Sequence, residues 1–152
     1  MPLVVMLDTH IYDRLAAAHS DLCTLQESVQ AGQLILLTTH VQEDELARIP
    51  DLEKRERVAS ILHLCQWIPT SDFVLDFSRL DMARLGTGET VEAIRKGNSK
   101  HTKDALIAAT AAYEGGILVT EDKVLKKRAQ SHGLTVWTYA EMLTRLTTYH
   151  GP

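Results

Sequence analysis

KDALIAATAAYEGGILVTED, Lys103 to Asp122, joins a continuous apolar and alanine-rich run, a glycine pair and a second apolar run, with an aspartate standing at each end. The first run is long enough for a buried helix and the second is short enough for a buried strand, so the stretch predicts helix, turn and strand. A helix from Asp104 to Glu114 climbs roughly 16 Å and a strand from Ile117 to Glu121 returns roughly 16 Å. Asp104 and Asp122 are thereby expected on one edge of a sheet. In an open parallel sheet, ligands bind outside the carboxyl ends of the strands.

Working outward, LVVML (Leu3 to Leu7), LILLT (Leu34 to Thr38), ILVT (Ile117 to Thr120) and LTVW (Leu134 to Trp137) are short apolar runs bounded by polar or turn residues. Fully buried parallel strands have this appearance. Helical patterns fill the intervals, from about Thr9 to His19, Leu22 to Ala31, Thr39 to Arg48, Leu52 to Cys65, Phe73 to Leu85, Lys103 to Glu114, Lys123 to His132 and Tyr139 to Leu146. The alternation predicts an α/β fold of three layers, a mostly parallel sheet flanked by helices. No repeat or linker divides residues 1–152, which read as one domain. The polar, glycine-bearing segment Gly86 to Lys103 breaks the apolar period and is expected to be an exposed loop or short arm.

Composition narrows the function. A net charge of -4 argues against coating nucleic acid or anionic membrane by bulk attraction. Cys23 and Cys65 form no Cys-x-x-Cys pattern, the histidines lack ligand spacing, and both cysteines read as core thiols. No apolar run approaches the ~20 residues of a membrane span, so a cytoplasmic location is expected.

Two further carboxylates join the predicted edge. Asp8 follows the first strand, and parallel strands end on the same side. Of the three acids in TTHVQEDEL, Thr38 to Leu46, helical phase selects one. Counted at 100° per residue from Val41, Glu45 falls near about 40° on the core face, while Glu43 and Asp44 fall near about 200° and 300°. Helix capping accounts for Asp8, Asp104 or Asp122 taken singly, since each stands near a helix start. It does not account for Glu45, which lies too deep in its helix. Four converging carboxylates repel one another and call for a cation. One or two Mg2+ or Mn2+ ions suit an all-oxygen set.

These residues resemble a known family. A hydrophobic-D-T near the N-terminus, T-x-x-V-x-x-x-E-L after the second strand, K-D-A-L-I-A-A-T-A and then L-V-T-x-D look like the PIN domain, over nearly the whole chain. The resemblance implies that Asp8, Glu45, Asp104 and Asp122 are the catalytic, metal-binding acids, supported by Thr9 and Thr120. It implies Mg2+- or Mn2+-dependent endoribonuclease activity on RNA. Small stand-alone members are commonly toxins of VapBC-type toxin–antitoxin pairs, so a homodimer and a small inhibitory antitoxin are expected partners. A PIN nuclease of RNA processing, or a catalytically silent RNA-binding or assembly module, is the alternative.

Lys100, Lys103 and Lys123 flank the acidic edge and are the candidates for holding the RNA backbone. Lys126, Lys127 and Arg128 read instead as the solvated face of a helix. His101 is the one histidine that this reading places near the edge, and it reads as a loop residue. A receiver domain and a haloacid-dehalogenase-type phosphotransferase also gather acids at strand ends, but the first wants a lysine after the last strand and the second Asp-x-Asp after the first. This chain has Trp-Thr-Tyr and Asp-Thr-His there.

Overall fold

Runs of branched apolar residues become strands here because both faces of each are covered. In the computed structural model, which describes residues 2–70 and 102–149, they form β1 (Leu3–Leu7), β2 (Leu34–Thr38), β4 (Ile117–Val119) and β5 (Val136–Trp137), with a two-residue strand β3 (Gln66–Trp67). Helices α1 (Thr9–Ala17) and α2 (His19–Gln30) separate β1 from β2, and α3 (His40–Leu46) and α4 (Leu52–Leu62) separate β2 from β3. α5 (Thr102–Tyr113) precedes β4, α6 (Lys123–Ser131) joins β4 to β5, and α7 (Tyr139–Tyr149) follows. All strand pairs are parallel, in the order β3-β2-β1-β4-β5.

From β1 the chain builds outward in one direction through β2 and β3, and in the other through β4 and β5. The order therefore reverses between β1 and β4, the point at whose carboxyl ends open parallel sheets bind their ligands. The register Leu7↔Val119 aligns those two ends. Asp8 and Thr120 are the next residues on each strand.

Alternation along the strands sorts the core into two layers. Met6, Leu37 and Leu118 face α5 and α6, packing on Leu106, Ala109 and Leu125. Val5, Leu7 and Leu36 face the other way, onto Ile11, Leu15 and Met142 from α1 and α7. Each fully buried leucine or isoleucine contributes about 1.5–3 kcal/mol relative to exposure. Helix α3 serves both layers, with Val41 in the first cluster and Leu46 in the second. It therefore stands at the sheet's edge rather than against a face.

The Gly115–Gly116 turn after α5 has a definite cause. Gly115 takes φ 67°, a left-handed conformation, and its N–H donates to the Ala112 carbonyl while that of Gly116 donates to Ala111. This pairing closes the helix with a Schellman motif. A side chain on Gly116 would press within 3.3 Å of the Val4 carbonyl, so the second glycine lets the returning chain settle beside β1.

The expected elements recur with changed limits. α1 and α2 are split only at Ala18, α3 stops at Leu46 rather than Arg48, α4 stops at Leu62 rather than Cys65, and β5 keeps only Val136–Trp137 of the expected run. The helix expected over Phe73 to Leu85 lies outside the described residues. So does the expected loop from Gly86 to His101, whereas Thr102 and Lys103 are already helical.

Candidate functional site

Asp8 is the first residue beyond β1 and is only 3% exposed. Its extended backbone makes it the N-cap of α1, where Oδ1 accepts from the Thr9 amide at 2.8 Å. Oδ2 accepts from the Thr120 hydroxyl at 2.8 Å. That hydroxyl accepts in turn from the Asp122 amide at 3.1 Å. The direction of the relay is therefore fixed: an amide can only donate, which leaves the Thr120 proton for Asp8.

Burial pushes the Asp8 carboxyl above the usual carboxylate range. The Thr120 hydroxyl, the Thr9 amide and the nearby His10 oppose the rise, while the negative charge of Glu45 adds to it. A folded-state value above the unfolded one means that Asp8 favours the fold fully below the unfolded pKa. That contribution is lost as pH rises through the folded value. In the metal-free protein the ionised form of Asp8 is thus the one that its surroundings disfavour.

Glu45 stands beside this carboxylate, half-buried in the last turn of α3, where its Oε2 accepts from the Thr9 hydroxyl at 3.0 Å. Thr9 thereby touches both acids, through its amide and through its side chain. Glu43 is exposed and lines a cavity of about 330 Å³ between α3 and α4, bounded by Leu46, Arg55, Val58 and Trp67. Asp44 is half-buried.

Asp104 lies half-buried in the first turn of α5, a helix packed against β1, β4, α3 and α6. Asp122 is the N-cap of α6, its Oδ1 accepting from the amides of Val124 and Leu125 at 2.9 and 3.0 Å. The bonds thus join Asp8, Thr9, Glu45, Thr120 and the Asp122 backbone into one connected group. Asp104 comes to the same end of the sheet through its helix. Among the described residues no three His, Cys, Asp or Glu side chains are gathered closely enough to hold a metal ion.

The donor set nonetheless suits a hard cation. Every side-chain donor of the group is oxygen, and buried Asp8 is hydrogen-bonded to neutral donors while a second carboxylate acts on it. An ion with oxygen preference relieves both the burial and the repulsion.

Of the candidate RNA contacts, Lys103 is half-buried in the first turn of α5 and Lys123 is exposed as the first residue of α6. Lys100 lies outside the described residues. Lys126 is paired with Glu141 at 3.2 Å, in keeping with a solvated helix face. No helix among the described residues is long and apolar enough to cross a membrane.

His101 lies outside the described residues, and two other histidines stand at the carboxyl edge: exposed His10 in the first turn of α1, and fully buried His40 at the start of α3. Each comes within three residues of a strand's end, and counting from the strand ends finds both. Sequence reasoning also misses Gln42, which is fully buried.

Thr120→Val should remove the donor to Asp8 and the acceptor for the Asp122 amide together. Leaving Asp8 Oδ2 and the part-buried Asp122 amide without these bonds is expected to cost about 1–3 kcal/mol in urea unfolding. Thr120→Ser should restore most of it; equal stability of the valine and serine variants would show that the relay holds nothing.

The PIN domain profile matches residues 5–131 of the chain. Among solved structures, the crystal structure of PAE2754 from Pyrobaculum aerophilum is similar, with a TM-score of 0.60 at 16% identity, covering 97% of this chain and 99% of that one. That likeness is one of fold. No curated protein matches the chain at a significant level.

Proposed function

Because this chain belongs to the PIN domain family, whose members are in general nucleases that use divalent metals, we propose that it is a Mg2+- or Mn2+-dependent endoribonuclease, acting as the toxin of a toxin–antitoxin pair. The observation that carries the nuclease reading is the buried Asp8 carboxylate, disfavoured as an anion and set beside Glu45 through Thr9. Such a pair is costly unless a cation joins it.

In this reading Asp8, Glu45, Asp104 and Asp122 hold the ion or ions. When bound, a divalent ion supplies Lewis-acid activation of water and neutralises charge at the scissile phosphate. Thr120 fixes one oxygen of Asp8, and Thr9 fixes the other along with Glu45, so these two carboxylates are held in place and Asp104 and Asp122 would close on them as the ion binds. Lys103 and Lys123 flank the edge from two helix starts, and with Lys100 they would steady RNA phosphates. With so few cations, only a short single-stranded or looped segment is engaged.

Metal binding is tested by melting. An ion that binds only the folded protein stabilises it by about 2.7 kcal/mol at 100 times its Kd, a rise of about 5–10 °C for a chain of this size. Asp104→Asn should blunt the rise. A melting temperature indifferent to millimolar Mn2+ and Mg2+ would rule out the four-acid site.

The toxin role, the homodimer and the antitoxin rest on family resemblance. The antitoxin would place a basic side chain, best an arginine, against the acidic edge where the cation otherwise sits. Expression of the wild-type gene alone should arrest growth of its native host while an Asp8→Asn copy should not. Harmless wild-type expression would exclude the toxin role while leaving the nuclease reading intact.

A further inference from the structure

Gln42 closes the capping box of its helix with Thr39 and makes one further contact, across to β1, that the cap does not require. It is 0% exposed on a seven-residue helix at the sheet's edge. Its Oε1 accepts from both the amide and the hydroxyl of Thr39 at 2.8 Å, and its Nε2 donates to the Leu7 carbonyl at 2.9 Å. The amide cannot be turned over, because the Thr39 amide can only donate and the Leu7 carbonyl can only accept.

The place of the Leu7 carbonyl gives this contact its meaning. The β1–β2 register runs to Met6↔Leu37 and stops one residue short of Leu7. Beyond that point the Gln42 side chain extends the pairing, bonding the last residue of β1 to the turn that starts α3. Leu7 immediately precedes Asp8, and Gln42 lies one helical turn before Glu45. One side chain thus ties together the chain segments that carry the two carboxylates, on the side of β1 away from Thr120.

We propose that Gln42 is a positioning residue that sets the spacing of Asp8 and Glu45, and with it the geometry in which they take a divalent cation. The inference rests on the metal-dependent reading of the site. Thr9 alone does not fix the pair, since its hydroxyl meets Glu45 at a single point. The Gln42 amide engages Thr39 and Leu7 from opposite ends and adds a directional tie between α3 and β1 to the packing of Val41 and Leu46. Its neutrality also matters: an acid here would add a negative charge beside the pair, and a lysine would compete with the cation.

The test compares Gln42→Met, which keeps length and apolar bulk, with Leu25→Ala, a core truncation on α2. Both are brought to equal stability by choice of temperature. Mn2+ affinity is measured by calorimetry, and the 13C shifts of the Asp8 and Glu45 carboxyls are recorded in metal-free protein. Gln42→Met is expected to weaken Mn2+ binding about tenfold and to move both carboxyl shifts, while Leu25→Ala leaves both readouts at wild-type values. Equal effects in the two variants, or none in Gln42→Met, would overturn the positioning role. Should wild-type protein take up no Mn2+, the metal reading falls, and the carboxyl shifts alone then decide whether Gln42 sets the spacing.

Discussion

Replacing Asp8 by Asn is expected to lower RNA cleavage by about 10²- to 10³-fold, the scale of losing a preorganised charge from an active site. The substitution keeps the shape of the side chain. Its oxygen can still accept from the Thr9 amide, and the new NH2 can donate to the second lone pair of the Thr120 hydroxyl, which already accepts from the Asp122 amide. The Thr120 proton then loses its acceptor, while a buried negative charge that desolvation disfavours is removed. The two effects oppose each other, so the metal-free melting temperature should stay within about 4 °C of wild type. A large loss of activity without a matching loss of stability separates the chemical role of Asp8 from its role as the cap of α1.

Glu45→Gln should lower cleavage by at least about 10²-fold, and substitutions of its neighbours should not. The amide oxygen that replaces the carboxylate still accepts from the Thr9 hydroxyl, so the variant removes charge while keeping the bond. Exposed Glu43 lines the cavity between α3 and α4 and Asp44 points away by helical phase, so Glu43→Gln and Asp44→Asn should stay within a few fold of wild type. Initial rates on one labelled RNA, at saturating Mn2+, decide the matter. Glu43→Gln as damaging as Glu45→Gln would mean that α3 offers a different face to RNA.

Only parts of the molecule are legible in sequence. The half-buried place of Glu45 can be read because phase along one helix needs only Val41, Leu46 and Ile49 to orient it. The unit from α5 to β4 can be read because its helix and strand are continuously apolar and a glycine pair separates them. Strand β3 cannot: Gln66 and Trp67 are both exposed, and two register pairs with Leu37 and Thr38 hold them, so nothing local announces a strand. The end of α3 is also hidden, because Ile49 keeps the apolar period going through a turn in which its amide bonds to Leu46. Thr9 can be placed near Asp8, but its bond to Glu45 spans 36 positions and comes from tertiary packing alone. Gln42 carries a weaker signal, a polar residue beside Val41 at a buried turn. Its partner, Leu7, belongs to another strand.

The most direct measurement is cleavage of a mixed single-stranded RNA pool by protein stripped with chelator, followed with and without added Mn2+ or Mg2+, beside an Asp8→Asn preparation purified in the same way. Internal cleavage by the wild-type protein is expected only when the ion is returned, with at least about 10²-fold less by the variant. Cleavage that persists undiminished in chelator, that is equal in the Asp8→Asn protein, or that fails in folded wild-type protein supplied with either ion would contradict the metal-dependent nuclease.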